Sequence, residues 1–432
     1  MLPTLIGFAF AFSLIFFRVP IAIALALTGF FGISVLNGIA PAYTMVAMVA
    51  KDTAMSYLLI VLPMFIFMGN ILAGSGISDD LYRAAQAVVG RRRGGLAMAT
   101  IVSCGVFGAV CGSSVATAAT MGKVAMPAMR KFGYSNGLSA ASVAAGGTLG
   151  ILIPPSVIMV VYGVATETHI GKLFAAGFIP GFLGIMLYIA AIKWSVWRDP
   201  SAAPPVSARL SMAEIMQTII GVGPVLLIMG VTLGGIYIGI FSATEASAIG
   251  AMTSLIYAVV FRSLRWAKLY EIIKDTVHTS GMMFAVLIGA TIFGEFINLT
   301  NVHSYIVTLV DKSWLPPLAV IFIMVAIYVV LGCVLESISM ILLTLPVFFP
   351  IVVALGFDPV WFGIIVVVVT EIGLITPPIG VNLFVIRALD SSISMRTIIN
   401  GVLPFIGADV IRVMLLVLFP VISLWLPKLL FG

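Results

Sequence analysis

The chain has 432 residues, of which 62% are hydrophobic and 9% charged, with a mean hydropathy of +1.23. Soluble domains carry about 25% charged residues, so this composition excludes a water-soluble globular protein and points to a polytopic membrane protein. The net charge of +6 lies in short loops rather than on one face, which does not suggest a nucleic-acid partner. The apolar start, residues 2–17, has no positive leader and no small-residue cleavage motif, so no cleavable signal peptide is expected. Cys104, Cys111 and Cys333 stand apart in apolar surroundings and support neither a disulfide framework nor a zinc site.

In chain order, residues 2–17 and 20–35 read as two spans joined by a tight turn at Arg18 and Val19. Residues 41–55 are mixed and suit an interfacial arm, and 56–73 span again. A polar segment with Asp79, Asp80 and Arg83 ends in the run Arg91-Arg92-Arg93. Residues 94–127 are bent at Gly112, Ser113 and Ser114. Each arm of that bend is about 20–27 Å long at 1.5 Å per residue, short of a hydrocarbon core of about 30 Å. A re-entrant hairpin is therefore expected. Residues 136–164 form a span broken by Gly146, Gly147, Thr148, Gly150, Pro154 and Pro155, and 173–192 an ordinary span.

Residues 196–209, rich in Pro, Ser and Ala, read as the linker between two halves. Spans then follow at 215–236, 243–261 and 279–299. A second hairpin occupies 318–349, a second broken span 360–386 and a last span 402–426. The two halves share one register. A shift of 223 residues carries Pro154-Pro155 onto Pro377-Pro378, Gly150 onto Gly373, Gly133 onto Gly356, Pro127 onto Pro350 and Ser114 onto Ser337. It also carries Lys51-Asp52-Thr53 onto Lys274-Asp275-Thr276. Punctuating residues held in one register indicate an internal repeat.

The expected division is a first repeat at 1–195, a cytoplasmic linker at 196–214 and a second repeat at 215–432. Five spans and one hairpin per half force the second half to enter from the opposite side, giving inverted-topology repeats. With the N-terminus outside, cytoplasmic segments hold Arg18, Arg83, Arg91, Arg92, Arg93, Arg130, Lys131, Lys193, Arg198, Arg209, Arg262, Arg265, Lys268, Lys274, Arg387 and Arg396, most of the 22 Lys and Arg. Lys51, Lys172, Lys312 and Lys428 fall outside. The positive-inside rule favours this orientation.

Irregular backbone at membrane depth is tolerated where it lines a cavity, and paired broken helices point to a midplane binding site. Each tip-and-break pair offers hydroxyls, namely Ser113, Ser114 and Thr148 in the first half and Ser337, Thr370 and Thr376 in the second. Carbonyls around Gly147, Gly150 and Gly373 add oxygen ligands, so two symmetric Na⁺ sites are expected. The opposing half-helix N-termini suit a carboxylate between them. Against this stands the ordinary habit of Ser and Thr in membrane helices, which bond to the preceding turn.

Glu336 and Glu371 are intramembrane carboxylates and so functional candidates, with a water-facing tip and a structural hydrogen bond as the respective alternatives. Lys123 and Arg387 lie near cytoplasmic ends, where snorkelling is the simpler account. Asp409 and Arg412, three residues apart, suit a neutralising pair. His169, His278 and His303 are scattered near span ends.

The stretches FGAVCGSSVATAATMGKVAMPAM and GYSNGLSAASVAAGGTLGILIPPS resemble the large membrane subunit, DctM type, of tripartite ATP-independent periplasmic (TRAP) transporters. GLITPPIGVNLFVI in the second half, RVPIAIAL at Arg18 and FSATEASAIGA at Phe241 carry the same resemblance, which covers essentially the whole chain. It implies an all-α transporter in the bacterial inner membrane, working as an elevator and coupled to Na⁺; the charge asymmetry above places both termini in the periplasm. It also implies two partners, a small four-helix membrane subunit of DctQ type and a periplasmic binding protein of DctP type. By resemblance, one cation site falls on Ser113, Ser114, Gly147, Thr148 and Gly150. The other falls on Glu336, Ser337, Thr370, Gly373 and Thr376. A small carboxylate, C4-dicarboxylate by default, is expected at Ser114, Thr117, Ser156, Ser337 and Asn382. The rival readings are a stand-alone cation–anion symporter or cation–proton antiporter, an intramembrane enzyme and a channel. With no paired intramembrane Asp and no His/Cys cluster, the enzyme has little support.

Overall fold

The computed structural model describes residues 2–90, 92–204, 212–312 and 316–432, and among them every regular element is helical. Arg91 of the basic run and the linker residues 205–211 lie outside the described residues. The first half opens with α1 (Leu2–Phe16), α2 (Ile21–Asn37) and α3 (Ile39–Ala54). After a 3₁₀ turn at Tyr57–Ile60 come α4 (Val61–Gly74) and the amphipathic α5 (Ile77–Val89), which carries Asp79 and Asp80 in its first turn. The first hairpin is α6 (Gly95–Cys111) and α7 (Ser114–Lys131). The expected broken span divides into α8 (Asn136–Thr148), a 3₁₀ turn at Leu149–Ile151 and α9 (Val157–Ala165). α10 (Ile170–Arg198) closes the half.

The second half runs through α11 (Met212–Tyr237), α12 (Ala243–Arg262), α13 (Trp266–Leu299) and α14 (Val302–Lys312). Its hairpin is α15 (Pro317–Gly332) and α16 (Ser337–Ala354). Its broken span is α17 (Pro359–Ile375) and α18 (Val381–Leu389), followed by α19 (Met395–Leu418) and α20 (Val421–Phe431). Among the described residues, seven segments are long and apolar enough to cross a membrane, α16 among them, and six further apolar helices are shorter.

Helix ends follow local capping chemistry. Ser113 caps α7 and Glu336 caps α16, at equivalent places in the two halves. Ser135 and Asp358 cap α8 and α17 in the same way. Each side-chain oxygen accepts a first-turn N–H that the helix leaves unpaired. Gly112, at φ +64°, ends α6 in the left-handed region that Gly enters without steric cost.

Four boundaries differ from the sequence reading. The linker begins later than residue 196, because α10 continues to Arg198. Ala202 and Ala203 are then buried, and the Ala202 carbonyl accepts the Ser135 N–H at 2.9 Å. α11 starts at Met212, inside the stretch assigned to the linker. α13 starts at Trp266 rather than 279, its first third being charged but helical. The last span of 402–426 is two helices, interrupted at Phe419-Pro420, where proline disfavours the helical conformation of the residue before it.

Two groups of helices pack around separate seams. α2, α3 and α4 gather on α13, with α12 against α4. Small residues allow the closest approach. A methyl group added at Gly29 falls 2.6 Å from the Ile292 carbonyl carbon, and one at Gly289 falls 2.3 Å from the Ala22 carbonyl oxygen. Asn70 of α4 donates to the Thr276 hydroxyl of α13 at 3.0 Å. The other group sets α8 against α6, α7 and α19, with α10 against α19 and α17 against α15 and α19.

Candidate functional site

The first hairpin tip, the first break and the start of α18 meet at one junction. A methyl at Gly112 falls 3.1 Å from Val157 Cγ2 at the start of α9. Asn382, in the first turn of α18, donates through Nδ2 to Ser114 Oγ at 2.8 Å and to the Ala144 carbonyl of α8 at 3.0 Å. One amide thus ties the tip to both broken spans, although 268 residues separate it from Ser114. Asn382 is fully buried, and its Oδ1 has no hydrogen-bond partner among the described residues. The same holds for Thr117 Oγ1, one turn along α7 from the tip. A Cβ at Gly150 falls 2.9 Å from that hydroxyl, and one at Gly147 falls 3.1 Å from the Ser114 carbonyl oxygen. Ser114, Thr117, Gly147, Gly150 and Asn382 therefore form one oxygen-bearing cluster. The N-termini of α7, α9 and α18, where backbone N–H groups concentrate positive partial charge, lie beside it.

Other expected residues are committed elsewhere. Ser113 Oγ accepts the Ala116 N–H at 3.3 Å as the α7 cap. Ser156 caps α9, accepting from Met159 N at 3.3 Å and donating to the Ile151 carbonyl at 2.5 Å. The Thr148 hydroxyl turns away from the tip, donating to the Ala145 carbonyl at 2.8 Å and meeting Tyr188 OH at 3.1 Å.

The second tip and break are built differently. A Cβ at Gly373 falls 2.5 Å from the Gly332 carbonyl carbon, so α15 and α17 touch backbone to backbone. The Thr370 and Thr376 hydroxyls donate to the preceding turn, at Val366 and Ile372, at 2.7 and 2.6 Å. Ser337 is buried, whereas Glu336 is exposed and caps α16, accepting from Ser339 N and Ser339 Oγ at 3.3 Å each. Pro378 and Ile379 of the second break are also exposed, while Pro154 and Pro155 of the first are buried.

Glu371, Asp409 and Arg412 have one another as partners. Arg412 pairs with Asp409 at 2.7 Å, as their spacing suggests, and also with Glu371 of α17 at 2.5 Å. Tyr188 of α10 donates to Asp409 Oδ2 at 2.7 Å. The sequence reading missed Tyr188 and the Glu371 pairing, since Glu371 and Arg412 sit on different helices with nothing in spacing to link them. Lys123 is exposed beside a crevice shared with Arg130, Lys131 and Asp390. Arg387 donates to the Ile393 carbonyl, and Arg130 pairs with Asp390 across the two halves. The sequence reading also passed over Glu295. With Thr291 and Asn298 it lines one wall of a cleft of about 260 Å³ between α13 and α16.

An all-helical chain with two helical hairpins and two interrupted spans meeting at a buried polar junction has the build of a membrane transporter. The chain belongs to the family described as the DctM component of the tripartite ATP-independent periplasmic transporter, whose profile matches residues 8–422. It is 36% identical over 379 residues to the C4-dicarboxylate TRAP transporter large permease protein DctM of Pseudomonas aeruginosa, covering 87% of this chain and 88% of that one. It is 34% identical over 408 residues to the isethionate TRAP transporter permease protein DctMQ of Oleidesulfovibrio alaskensis, covering 94% of this chain and 63% of that one. Among solved structures, the YdaH transporter of Alcanivorax borkumensis has the same fold, with a TM-score of 0.64 over 89% of each chain at 14% identity. The chain is thus a multi-pass large permease component of a TRAP transporter.

Proposed function

We propose that this permease imports a small organic acid across the bacterial inner membrane by Na⁺-coupled elevator motion. Its two halves act as inverted-topology repeats, with both termini periplasmic. The carrying observation is the junction of Ser114, Thr117 and Asn382, where two buried oxygens, Thr117 Oγ1 and Asn382 Oδ1, have no hydrogen-bond partner among the described residues. Buried acceptors left unpaired are costly unless a ligand satisfies them, and hard cations seek oxygen ligands. Na⁺ fits this donor set, with Ser114 Oγ and the backbone around Gly147 and Gly150 as further oxygens. A second Na⁺ is assigned to Ser337, Gly373, Thr370 and Thr376. The adjoining half-helix N-termini suit the carboxylate of the solute.

A periplasmic binding protein of DctP type delivers the solute, and a small four-helix subunit of DctQ type completes the membrane unit. The wide span of the DctMQ relative beyond the matched region supports the second partner. A C4-dicarboxylate is the default solute. Relatives at similar identity are named for C4-dicarboxylate, isethionate, sialic acid and ectoine, each of which carries a carboxylate or sulfonate group, and this supports a small organic acid more strongly than one particular acid.

The test is uptake into proteoliposomes holding this chain and its small subunit, with radiolabelled carboxylates, with and without the binding protein and an inward Na⁺ gradient. Uptake requiring both supports the proposal, and Ser114→Ala and Ser337→Ala then weaken Na⁺ dependence. Na⁺-driven uptake without a binding protein identifies a stand-alone symporter. Uptake driven by a proton gradient alone overturns the Na⁺ assignment.

A further inference from the structure

α10 and α19 run antiparallel. A methyl group at Gly184 of α10 falls 2.3 Å from Arg412 Nη1, and Tyr188, one turn on, meets Asp409 and the Phe405 ring, so α19 runs back as α10 advances. Beside this seam the two helices part around a groove of about 540 Å³. Its deep end is Leu187 and Ile411, and its other end Trp194, Arg198 and Asn400. Leu403 and Ile411 are exposed along it, as apolar side chains are where a helix faces lipid.

The groove has the depth of one lipid leaflet. Leu187 and Arg198 are eleven residues apart, as are Asn400 and Ile411, which makes about 16 Å of helix along either wall. Half of a hydrocarbon layer of about 30 Å is nearly the same length. Arg198 is the last residue of α10 and Leu187 stands near its middle. The groove thus runs from the membrane surface towards the midplane.

Polarity is concentrated at the surface end. Arg198 Cζ lies 5.6 Å from the centre of the half-exposed Trp194 ring, and its guanidinium has no ion pair or hydrogen bond among the described residues. Arg396, four residues before Asn400 and so on the same face of α19, is exposed and equally unpaired there. Asp199, the acid next to Arg198, is occupied by Ser201, accepting from its N at 3.1 Å and its Oγ at 2.6 Å. Pro404 has no N–H to give, so the Asn400 carbonyl one turn earlier lacks its helical donor. The surface end therefore presents two uncompensated guanidinium groups beside a carbonyl in want of a donor.

We propose that this groove binds an anionic glycerophospholipid, with one acyl chain lying along Gly407 and the phosphate held by Arg198 and Arg396. Basic pockets between membrane helices take acidic headgroups, and Trp194 sits where tryptophan favours the membrane–water boundary. A headgroup hydroxyl supplies the donor that the Asn400 carbonyl lacks. A zwitterionic lipid fills the slot equally well but brings no net charge to the two guanidinium groups. The bound lipid joins α10 of the first half to α19 of the second, alongside the bond from Tyr188 to Asp409.

The test uses the full chain purified with its small subunit in detergent and stripped of lipid. Binding by native mass spectrometry and melting temperature are followed on adding phosphatidylglycerol, phosphatidylcholine with the same acyl chains, or glycerol phosphate. Phosphatidylglycerol is expected to bind about tenfold more tightly than phosphatidylcholine and to raise the melting temperature, as a ligand of the folded state does. Glycerol phosphate is expected to do neither. Arg198→Gln is expected to remove most of that preference and to leave the lipid-free melting temperature unchanged, since Arg198 has no bonded partner to lose. Gly407→Leu, where an added Cβ meets open space, is expected to fold and to weaken both lipids. Equal affinity for the two lipids, a preference that survives in Arg198→Gln, or undiminished binding by Gly407→Leu overturns the proposal. So does a response to glycerol phosphate alone, which marks a site for a free anion. A Gly407→Leu chain that keeps its lipid and sheds the small subunit also overturns it, because the occupant is then a protein helix. None of these outcomes depends on Na⁺ or on the transported solute.

Discussion

At the residue scale, the informative atoms are buried oxygens with nothing to bond. Thr117 Oγ1 has no hydrogen-bond partner among the described residues, so removing it sacrifices none of the bonds seen there. Thr117→Val is therefore expected to leave the melting temperature unchanged or slightly raised. The same variant is expected to raise the Na⁺ half-saturation by about tenfold, the equivalent of about 1.4 kcal/mol. A drop in stability with unaltered Na⁺ dependence would show the hydroxyl to be structural. Asn382 is the opposite case, since its amide bridges Ser114 and Ala144 and its loss leaves buried groups unpaired at about 1–3 kcal/mol. Ser114, Thr117, Gly150 and Asn382 were all legible as candidates, because polar and small residues stand out in an apolar chain. The hydrogen bonds by which Asn382 joins Ser114 to Ala144 were not. Which hydroxyls turn inward and which bond to their own turn, as those of Thr370 and Thr376 do, depends on rotamers and neighbours that spacing does not encode.

At the scale of elements, each hairpin is pressed against its broken partner through glycine. A Cβ at Gly108 falls 2.2 Å from Gly150 Cα, and Gly373 meets Gly332 in the same fashion. Replacing Gly150 or Gly373 by Ala forces backbone apart, with an expected loss of about 1–3 kcal/mol for overpacking. Thermal unfolding in detergent should show both losses, whereas Gly281→Ala, with open space around it, should show none. The breaks themselves were visible in advance from the Pro-Pro pairs, since proline cannot continue a helix, although the first break falls after Gly146 and Gly147, which α8 runs through. The length of α13 was not. Lys268, Glu271, Lys274 and Asp275 dilute its apolar run, and hydropathy reports immersion in lipid rather than helicity.

At the scale of the molecule, Arg130 at the end of α7 pairs with Asp390 at the end of α18, joining the first hairpin to the second broken span. The Ser392 hydroxyl, with Arg130 adding to it, holds the Asp390 carboxyl below its ordinary value. The sign follows. A carboxylate whose folded value is depressed contributes above the unfolded value of about 3.9 and loses that contribution only as pH falls through the lower folded one. The pair is thus intact throughout the physiological range. Arg130→Glu is expected to slow uptake by only a few-fold, since exposed pairs are weak. Adding Asp390→Arg is expected to recover the rate, and a double variant slower than the single one would rule out a functional contact.

α13 also has a mechanical meaning. Between Asp275 and Glu295 it carries no charged side chain for 19 residues, about 28 Å of helix, close to the thickness of a lipid hydrocarbon layer. The chain therefore contains its own ruler, and the glycine seam with α2 keeps that ruler from bending alone. Bilayers much thinner or thicker than the ruler must either deform or tilt it. Reconstitution in lipids of graded acyl length should then give uptake that peaks at one length, and the optimum should shift when apolar residues are inserted into α13.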